Sequence, residues 1–258
     1  MKHQFFFLSG LPRSGSTLLS AILEQNPLIH TEGNSSLCQM MWDLHSSIEG
    51  PSSEALKANR RLPHTQNEIV GALPDLYYSK IDKPIVFDKG RTWPMYSNLQ
   101  LLKRYMSDSP RIVILVRPID EIVKSFVKLR LDNNWQGDPY TDLLLQNTDP
   151  LCNAINAIEF AKLIGGDEFL FVSYQSLVEK SESVVGEVYD HCGIEKYPHT
   201  FNDISQKFKE DDTVYGLNGM HDVRSNISIV KNTITLPANI QNICDQMTEN
   251  MFKNLNFI

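Results

Sequence analysis

A short loop near the beginning of the chain has the residue types and the spacing of a phosphate-binding site. It reads Gly10-Leu-Pro-Arg-Ser-Gly-Ser-Thr17 and directly follows the apolar run Phe5-Phe-Phe-Leu8. Backbone N–H groups of such a loop, together with the first turn of a following helix, converge on one anionic group. The spacing resembles a Walker A loop, except that Ser16 stands where that motif has its lysine. The loop is therefore suited to a phosphate but lacks the lysine that ATP or GTP chemistry requires.

A second pair of residues predicts another anion site. Arg117 ends an apolar run, where a charge without a partner costs several kcal/mol, and Ser125 follows eight residues later on a helix that begins at Pro118. A phosphate beside this helix would be bound by the guanidinium as a fork and by the hydroxyl as a donor. An ion pair of Arg117 with Asp120 or Glu121 is the purely structural alternative.

The elements that position these residues alternate between strand and helix. This pattern predicts an α/β fold, a P-loop-like three-layer domain with a central, mainly parallel sheet of about five strands flanked by helices. Strands are predicted at 4–9, 28–31, 84–88, 111–116 and 168–173, and helices at 17–25, 118–130, 181–192 and 237–255. Segment 33–82 is predicted as helical pieces interrupted at Gly50-Pro51, Pro63 and Pro74, and segments 131–150 and 200–235 as loops. We expect one domain over 1–258.

Ligands of open parallel sheets bind beyond the carboxyl ends of the strands. Polar residues follow each predicted strand there: Arg13 to Thr17, Glu32, Lys89, Arg117 and Tyr174. The sequence therefore predicts that a carboxylate, a lysine and two arginines meet at one edge of the sheet, around the loop.

Composition narrows the function further. The net charge of −7 and the pI of about 5.5 argue against nucleic acid as a partner, so an anion site must be a local basic cluster. The four cysteines have no metal-ligand spacing, and we expect no metal site and buried free thiols at Cys192 and Cys244. No run approaches the roughly 20 apolar residues of a membrane span, and we expect a cytoplasmic protein.

In combination, these motifs resemble the 3′-phosphoadenylyl-sulfate (PAPS)-dependent sulfotransferases, especially the branch with the tyrosylprotein and related prokaryotic enzymes. Pro12-Arg-Ser-Gly-Ser-Thr17 is similar to the 5′-phosphosulfate loop of that family, and Arg117 with Ser125 to its 3′-phosphate site, with the same separation. Phe171-Val-Ser-Tyr174 resembles a third cofactor contact. The resemblance covers roughly residues 4 to 195.

The resemblance implies transfer of a sulfuryl group from PAPS to a hydroxyl or amine acceptor by in-line displacement without metal. The product of the donor is adenosine 3′,5′-bisphosphate. The implied donor-binding residues are Arg13, Ser14, Gly15, Ser16, Thr17, Arg117, Ser125 and Tyr174, with Arg224 from a polar segment that could fold over the nucleotide or remain solvated.

The implied catalytic residues are Arg13 and Lys89, which stabilise charge, and Glu32, which takes the acceptor's proton. The glutamate of the tyrosylprotein branch aligns nearer Asn34, so His30 is the next candidate for the base. The acceptor is expected to be a small molecule, a glycan or a peptide, shaped by segments 33–82 and 131–150. Trp42, Trp93 and Trp135 are candidates either for its walls or for the core.

Two other functions fit parts of the sequence. A P-loop small-molecule kinase would use ATP and magnesium, with Asp88 as the carboxylate that holds the metal. A regulatory nucleotide-binding protein would keep the loop and Arg117 but would need neither Glu32 nor Lys89.

Overall fold

A parallel β-sheet forms the centre of the protein. The computed structural model describes residues 1–49, 65–138, 140, 144, 150–228 and 233–258. The strands are β1 (Gln4–Gly10), β2 (Ile29–Asn34), β3 (Ile85–Lys89), β4 (Ile112–Val116) and β5 (Phe169–Ser173). All neighbouring strands are parallel, in the order β2-β3-β1-β4-β5. The predicted α/β class is confirmed, but β2 extends to Asn34, so that Glu32, predicted to follow this strand, lies within it.

Helices cover both faces of this sheet. They are α1 (Ser16–Leu23), α2 (Leu37–Glu49), α3 (Thr65–Tyr77), α4 (Tyr96–Tyr105), α5 (Ile119–Asp132), α6 (Pro150–Ile164), α7 (Tyr174–Glu179), α8 (Ser181–Cys192) and α9 (Ala238–Phe252). A 3₁₀ helix occupies Asp212–Tyr215 within the segment predicted as a loop. No helix of the described residues is long and apolar enough to cross a membrane.

Two hydrophobic cores result from the alternation of side chains along the strands. Phe6 and Leu8 of β1 face a core with α1, α7 and α8, while Phe7 faces the larger core with the remaining helices. Strand β4 is buried along its whole length, as a continuous apolar run predicts for a strand covered on both faces. Cys192 and Cys244 are buried free thiols.

The prediction that Pro74 interrupts a helix is wrong. Helix α3 continues through it, although an internal proline removes one helical hydrogen bond. Val70 and Tyr78, on either side of Pro74, are both buried in the core, and this packing outweighs the local cost. The other predicted interruptions, Gly50-Pro51 and Pro63, lie outside the described residues.

Strand β1 is central, and β4 is its neighbour on the side opposite β3. The chain first builds β2 and β3 on one side of β1 and then β4 and β5 on the other. Such a reversal of strand order leaves a crevice beyond the carboxyl ends, where α/β proteins bind ligands. The edge strand β5 is covered by Ile258, whose N–H donates to Phe171 O at 3.0 Å and whose carbonyl accepts from Ser173 N at 2.8 Å.

Candidate active site

The loop after β1 fits closely between its neighbours because two of its positions are glycine. Gly10 has a φ of +147°, and a Cβ there would lie 2.5 Å from the carbonyl oxygen of Leu115. Gly15 has a φ of +94°, and a Cβ there would lie 2.9 Å from the ring of Tyr174. Both positions therefore require glycine, and the loop directs the N-terminus of α1 toward the crevice, where its amide groups favour an anion.

Arg13 joins the two predicted anion sites into one. Its Nε donates to Ser125 Oγ at 3.1 Å, and its backbone carbonyl accepts from Arg117 Nη1 at 2.9 Å. Its Nη1 donates to Met220 O, which ties the segment after the 3₁₀ helix to the loop. Burial lowers the pKa of Arg13, and the neighbouring Arg117 lowers it further. An anion bound here would relieve the repulsion between the two guanidinium groups.

Arg117 has an ion-pair partner and also lies against an aromatic ring of the cleft. Its Nε forms an ion pair with Glu121 Oε2 at 2.9 Å, one of the alternatives predicted for it. Its guanidinium carbon also lies 4.1 Å from the centre of the Tyr174 ring. Tyr174 begins α7, whose N-cap Ser173 accepts a hydrogen bond from Ser176 N. The guanidinium thus lies over an aromatic ring at the wall of the crevice.

Lys89 reaches the same place from the end of β3. Its side chain is only 6% exposed, and its Nζ donates to Thr17 Oγ1 at 3.1 Å and to Glu210 Oε1 at 3.2 Å. Burial lowers the pKa of Lys89, and Glu210 opposes that shift. The ammonium group therefore lies at the first turn of α1, close to the position of the lysine that the loop lacks.

These groups line one cleft with a volume of about 600 Å³. The predicted residues on its wall are Arg13, Gly15, Ser16, Thr17, Lys89, Arg117, Ser125, Tyr174 and Arg224. Of the predicted donor-binding residues, Ser14 is not on this wall, because it is fully buried and its Oγ donates to Leu11 O at 2.6 Å within the loop. Arg91 and Lys128 add positive charge, against Asp132 and Asp222, in a protein of net charge −7. The cleft is a local basic cluster suited to a ligand with more than one anionic group.

Comparison with known proteins decides the family. The model of the Sulfotransferase family matches residues 6–199, which contain the loop, Lys89, Arg117 and Tyr174. The chain belongs to the sulfotransferase family. No curated protein sequence gives a significant match to it.

Solved sulfotransferase structures share the fold. The sulfotransferase domain of the olefin synthase of Synechococcus PCC 7002 is 20% identical, with a TM-score of 0.56 over 99% of this chain and 97% of that domain. The sulfotransferase domain from the curacin biosynthetic pathway is 18% identical, with a TM-score of 0.56 over 96% and 98%. A sulfotransferase of Alicyclobacillus acidocaldarius is 12% identical, with a TM-score of 0.55 over 99% and 98%.

The carboxylate predicted as the base of this sulfotransferase lies outside the main cleft. Glu32 lines a smaller, neighbouring cavity together with Glu24 and Glu210, and its Oε2 lies 3.4 Å from His30 Nε2. Asn34, two residues further along β2, lines the cleft itself. The smaller cavity shares Thr17 with the main cleft, and its Glu210 is bonded to Lys89.

Three residues of the segment 200–235 join the site without having been predicted for it. His221 lines the cleft, its Nδ1 lies 2.5 Å from Asp212 Oδ1, and its Nε2 lies 3.6 Å from Glu210 Oε2. The sequence singled out the neighbourhood of His221 only as a polar segment. Glu210 lies in no helix or strand, so only the folding of its segment brings it to Lys89.

Asp88 of the sulfotransferase faces the core. Its Oδ1 accepts from Trp93 Nε1 and its Oδ2 from Tyr78 Oη, each at 2.7 Å. Both donors are buried with it, and burial raises the pKa of the carboxyl. Asp88 is therefore a structural hydrogen-bond acceptor that holds Trp93 in the core, which removes the main residue on which the kinase alternative depended.

The walls of an acceptor site are only partly described. Of segments 33–82 and 131–150, residues 50–64, 139, 141–143 and 145–149 lie outside the described residues. Trp42 donates to Asn98 Oδ1 at 2.5 Å, and Trp135 lies beneath Arg130 with 44% of its surface exposed.

Proposed function

We propose that this sulfotransferase moves a sulfuryl group from PAPS to a hydroxyl or amine acceptor, without a metal ion, and releases adenosine 3′,5′-bisphosphate. The observation that carries the proposal is the direct contact of Arg13 with both Ser125 and Arg117 in one cleft with Lys89. A donor with anionic groups at the 3′ and 5′ positions of its ribose fits a cleft whose two anion sites are contiguous.

The residues present suit this donor. The amides of the loop and the hydroxyls of Ser16 and Thr17 would hold the 5′-phosphosulfate at the N-terminus of α1. Arg117 and Ser125 would bind the 3′-phosphate, with Tyr174 and Arg224 beside them. A sulfuryl group carries less charge than a γ-phosphoryl group, so a loop without a lysine and without magnesium is chemically sufficient.

Lys89 and Arg13 would stabilise the charge that develops during transfer. Lys89 lies against Thr17 at the loop, and its bond to Glu210 must be exchanged for one to the donor. The role of Glu32 as the base remains a prediction. We further propose that residues 1–258 act as a single domain, that the protein is cytoplasmic, and that its acceptor is a small molecule, a glycan or a peptide.

Ligand-induced thermal stabilisation tests the donor class. Adenosine 3′,5′-bisphosphate in the presence of EDTA should raise the Tm, since a ligand at 100 times its Kd adds about 2.7 kcal/mol. ATP with magnesium is the comparison. Stabilisation by ATP and magnesium alone would overturn the proposal in favour of the kinase, and binding of the bisphosphate without sulfate transfer from PAPS would favour a regulatory protein.

A further inference from the structure

A histidine with a carboxylate partner faces the donor cleft. His221 is 11% exposed and Asp212 is 9% exposed. One oxygen of Asp212 lies 2.5 Å from the Nδ1 of the ring, and the other accepts from the backbone N–H of His221 at 3.0 Å. A single carboxylate thus holds both the ring and the main chain of the histidine in place.

The carboxylate also decides which ring nitrogen carries the proton. An ionised carboxylate only accepts hydrogen bonds, so Nδ1 must be the donor. In the neutral ring this leaves Nε2 with a lone pair, and Nε2 lies 3.6 Å from Glu210 Oε2. A histidine with Nδ1–H on an aspartate and a bare Nε2 is arranged to receive a proton.

The position of His221 relative to the transfer site follows from two contacts. Glu210 bonds Lys89 with one oxygen and approaches His221 with the other, so one carboxylate group separates the ammonium from the imidazole. Met220, the residue before His221, accepts a hydrogen bond from Arg13 of the loop. His221 is therefore linked to Lys89 through Glu210, and to Arg13 through the backbone of Met220.

Other groups that face the imidazole fit the same role. The ring of Tyr215 lies 6.3 Å from the ring of His221, centre to centre. Asp212 and Glu210 flank the two ring nitrogens and would stabilise the imidazolium that forms when a proton arrives. Glu32, in contrast, lies in the smaller cavity, with His30 as its partner.

We propose that His221, positioned by Asp212, takes the proton of the acceptor, a role that rests on the proposed sulfuryl transfer. The acceptor oxygen or nitrogen forms its bond to sulfur while the bond from sulfur to the bridging oxygen of the donor breaks. The electron pair of that bond stays on the departing bisphosphate. The acceptor's proton passes to Nε2, and Asp212 keeps Nδ1–H oriented throughout.

Turnover of the His221→Ala variant tests this role. The readout is bisphosphate release from PAPS with 4-nitrophenol, a primary alcohol, an amine or water as acceptor. We expect turnover to fall by about 10²- to 10⁴-fold, with the Kd for adenosine 3′,5′-bisphosphate unchanged within a few-fold. Added imidazole should restore part of the activity, which it could not do for a histidine that only supports the fold. Asp212→Asn should lower turnover with the same unchanged Kd.

His199→Asn is the matched control. His199 is also a partly buried histidine with a hydrogen-bonded ring, 2.9 Å from Tyr189 Oη, and it is not on the wall of the cleft. This variant should retain full turnover. Unchanged turnover of His221→Ala, or a large loss in Glu32→Gln alone, would overturn the role of His221.

Ring ¹⁵N NMR gives a readout that needs no acceptor. In the wild-type protein with bound adenosine 3′,5′-bisphosphate, we expect the neutral ring of His221 to be the Nδ1–H tautomer, with Asp212 as the acceptor. The Nε2–H tautomer of the neutral ring would overturn the proposal for His221. Failure of the wild type to bind the bisphosphate at all would instead overturn the proposed function, and the state of the ring in the free protein would still decide whether His221 is arranged as a base.

Discussion

Arg117 illustrates how a side chain with several structural partners can still keep donors for a ligand. It is paired with Glu121, stacked on Tyr174 and bonded to the backbone of Arg13. Together these contacts use two of its five N–H donors, so the guanidinium keeps donors for an anion in the cleft. A residue that looks satisfied in the protein is therefore still equipped to bind the donor.

The Arg117→Ala variant should bind adenosine 3′,5′-bisphosphate about 10- to 100-fold more weakly, since a hydrogen bond to a charged group contributes about 1.5–3 kcal/mol. The kcat at saturating PAPS should change little, because this residue is proposed to hold the distant phosphate. Isothermal titration calorimetry measures the first effect and initial rates the second.

Glu121→Gln is the control for that measurement. It removes the ion-pair partner, which is 46% exposed, and leaves Arg117 in place. Affinity should stay the same or rise, because a competing negative charge is lost. A loss of affinity in Glu121→Gln as large as in Arg117→Ala would show that the pair acts only through the structure.

At the scale of elements, the loop after β1 and helix α7 depend on each other. The Tyr174 ring that supports Arg117 also occupies the space beside Gly15, where a Cβ would come within 2.9 Å of it. Gly15→Ala should therefore displace the ring and weaken binding of the bisphosphate, in addition to the cost of about 1–2 kcal/mol for a left-handed backbone. Calorimetric titration and urea unfolding measure the two effects.

Gly193→Ala separates backbone strain from the loss of the site. Gly193 also has a positive φ, +64°, at the end of α8, but nothing lies within 4 Å of the position of its Cβ. This variant should lose a comparable free energy of unfolding and bind the bisphosphate normally. Equal affinities of the two variants would contradict the coupling of Gly15 to Tyr174.

The order and position of these elements could be predicted from local patterns. The apolar runs that became β1, β3, β4 and β5 are short and are bounded by glycine, proline or charged residues. Short length and such flanking residues are typical of strands. The family match confirms the resemblance to sulfotransferases that the loop, Arg117 and Ser125 indicated. Pro74 was mispredicted because the packing of Val70 and Tyr78 is tertiary and leaves no mark on the local sequence.

The candidate site could be predicted only where its residues follow strands. Lys89 ends a strand, and Arg117 and Tyr174 come directly after one, so the sheet itself brings them together. Glu210 and His221 belong to a segment with little regular structure, whose path depends on contacts such as that of Met220 with Arg13. Glu32 was predicted to follow β2 but lies within it and lines a neighbouring cavity.

At the scale of the whole molecule, a histidine far from the cleft makes stability depend on pH. Burial, with Arg111 nearby, lowers the pKa of His191 from 6.5 to about 4. Between these values the unfolded chain binds the proton and the folded protein does not, so the free energy of unfolding falls as the pH drops from about 6.5 to about 4.

The His191→Gln variant should therefore lose less stability than the wild type between pH 7 and pH 5. Urea unfolding at the two pH values measures the difference. His199, whose pKa burial also lowers, remains in the variant, so part of the dependence should persist. An identical loss in both proteins would contradict the assignment to His191.

The backbone hydrogen bonds between Ile258 and β5 affect how readily this edge of the sheet can pair with another chain. An uncovered edge strand offers its amides and carbonyls to a strand from another chain. Ile258 occupies that place beside Phe171 and Ser173, immediately before the tyrosine that supports Arg117. Loss of this one residue would leave the N–H of Ser173 and the carbonyl of Phe171 open to pairing with a strand from another molecule.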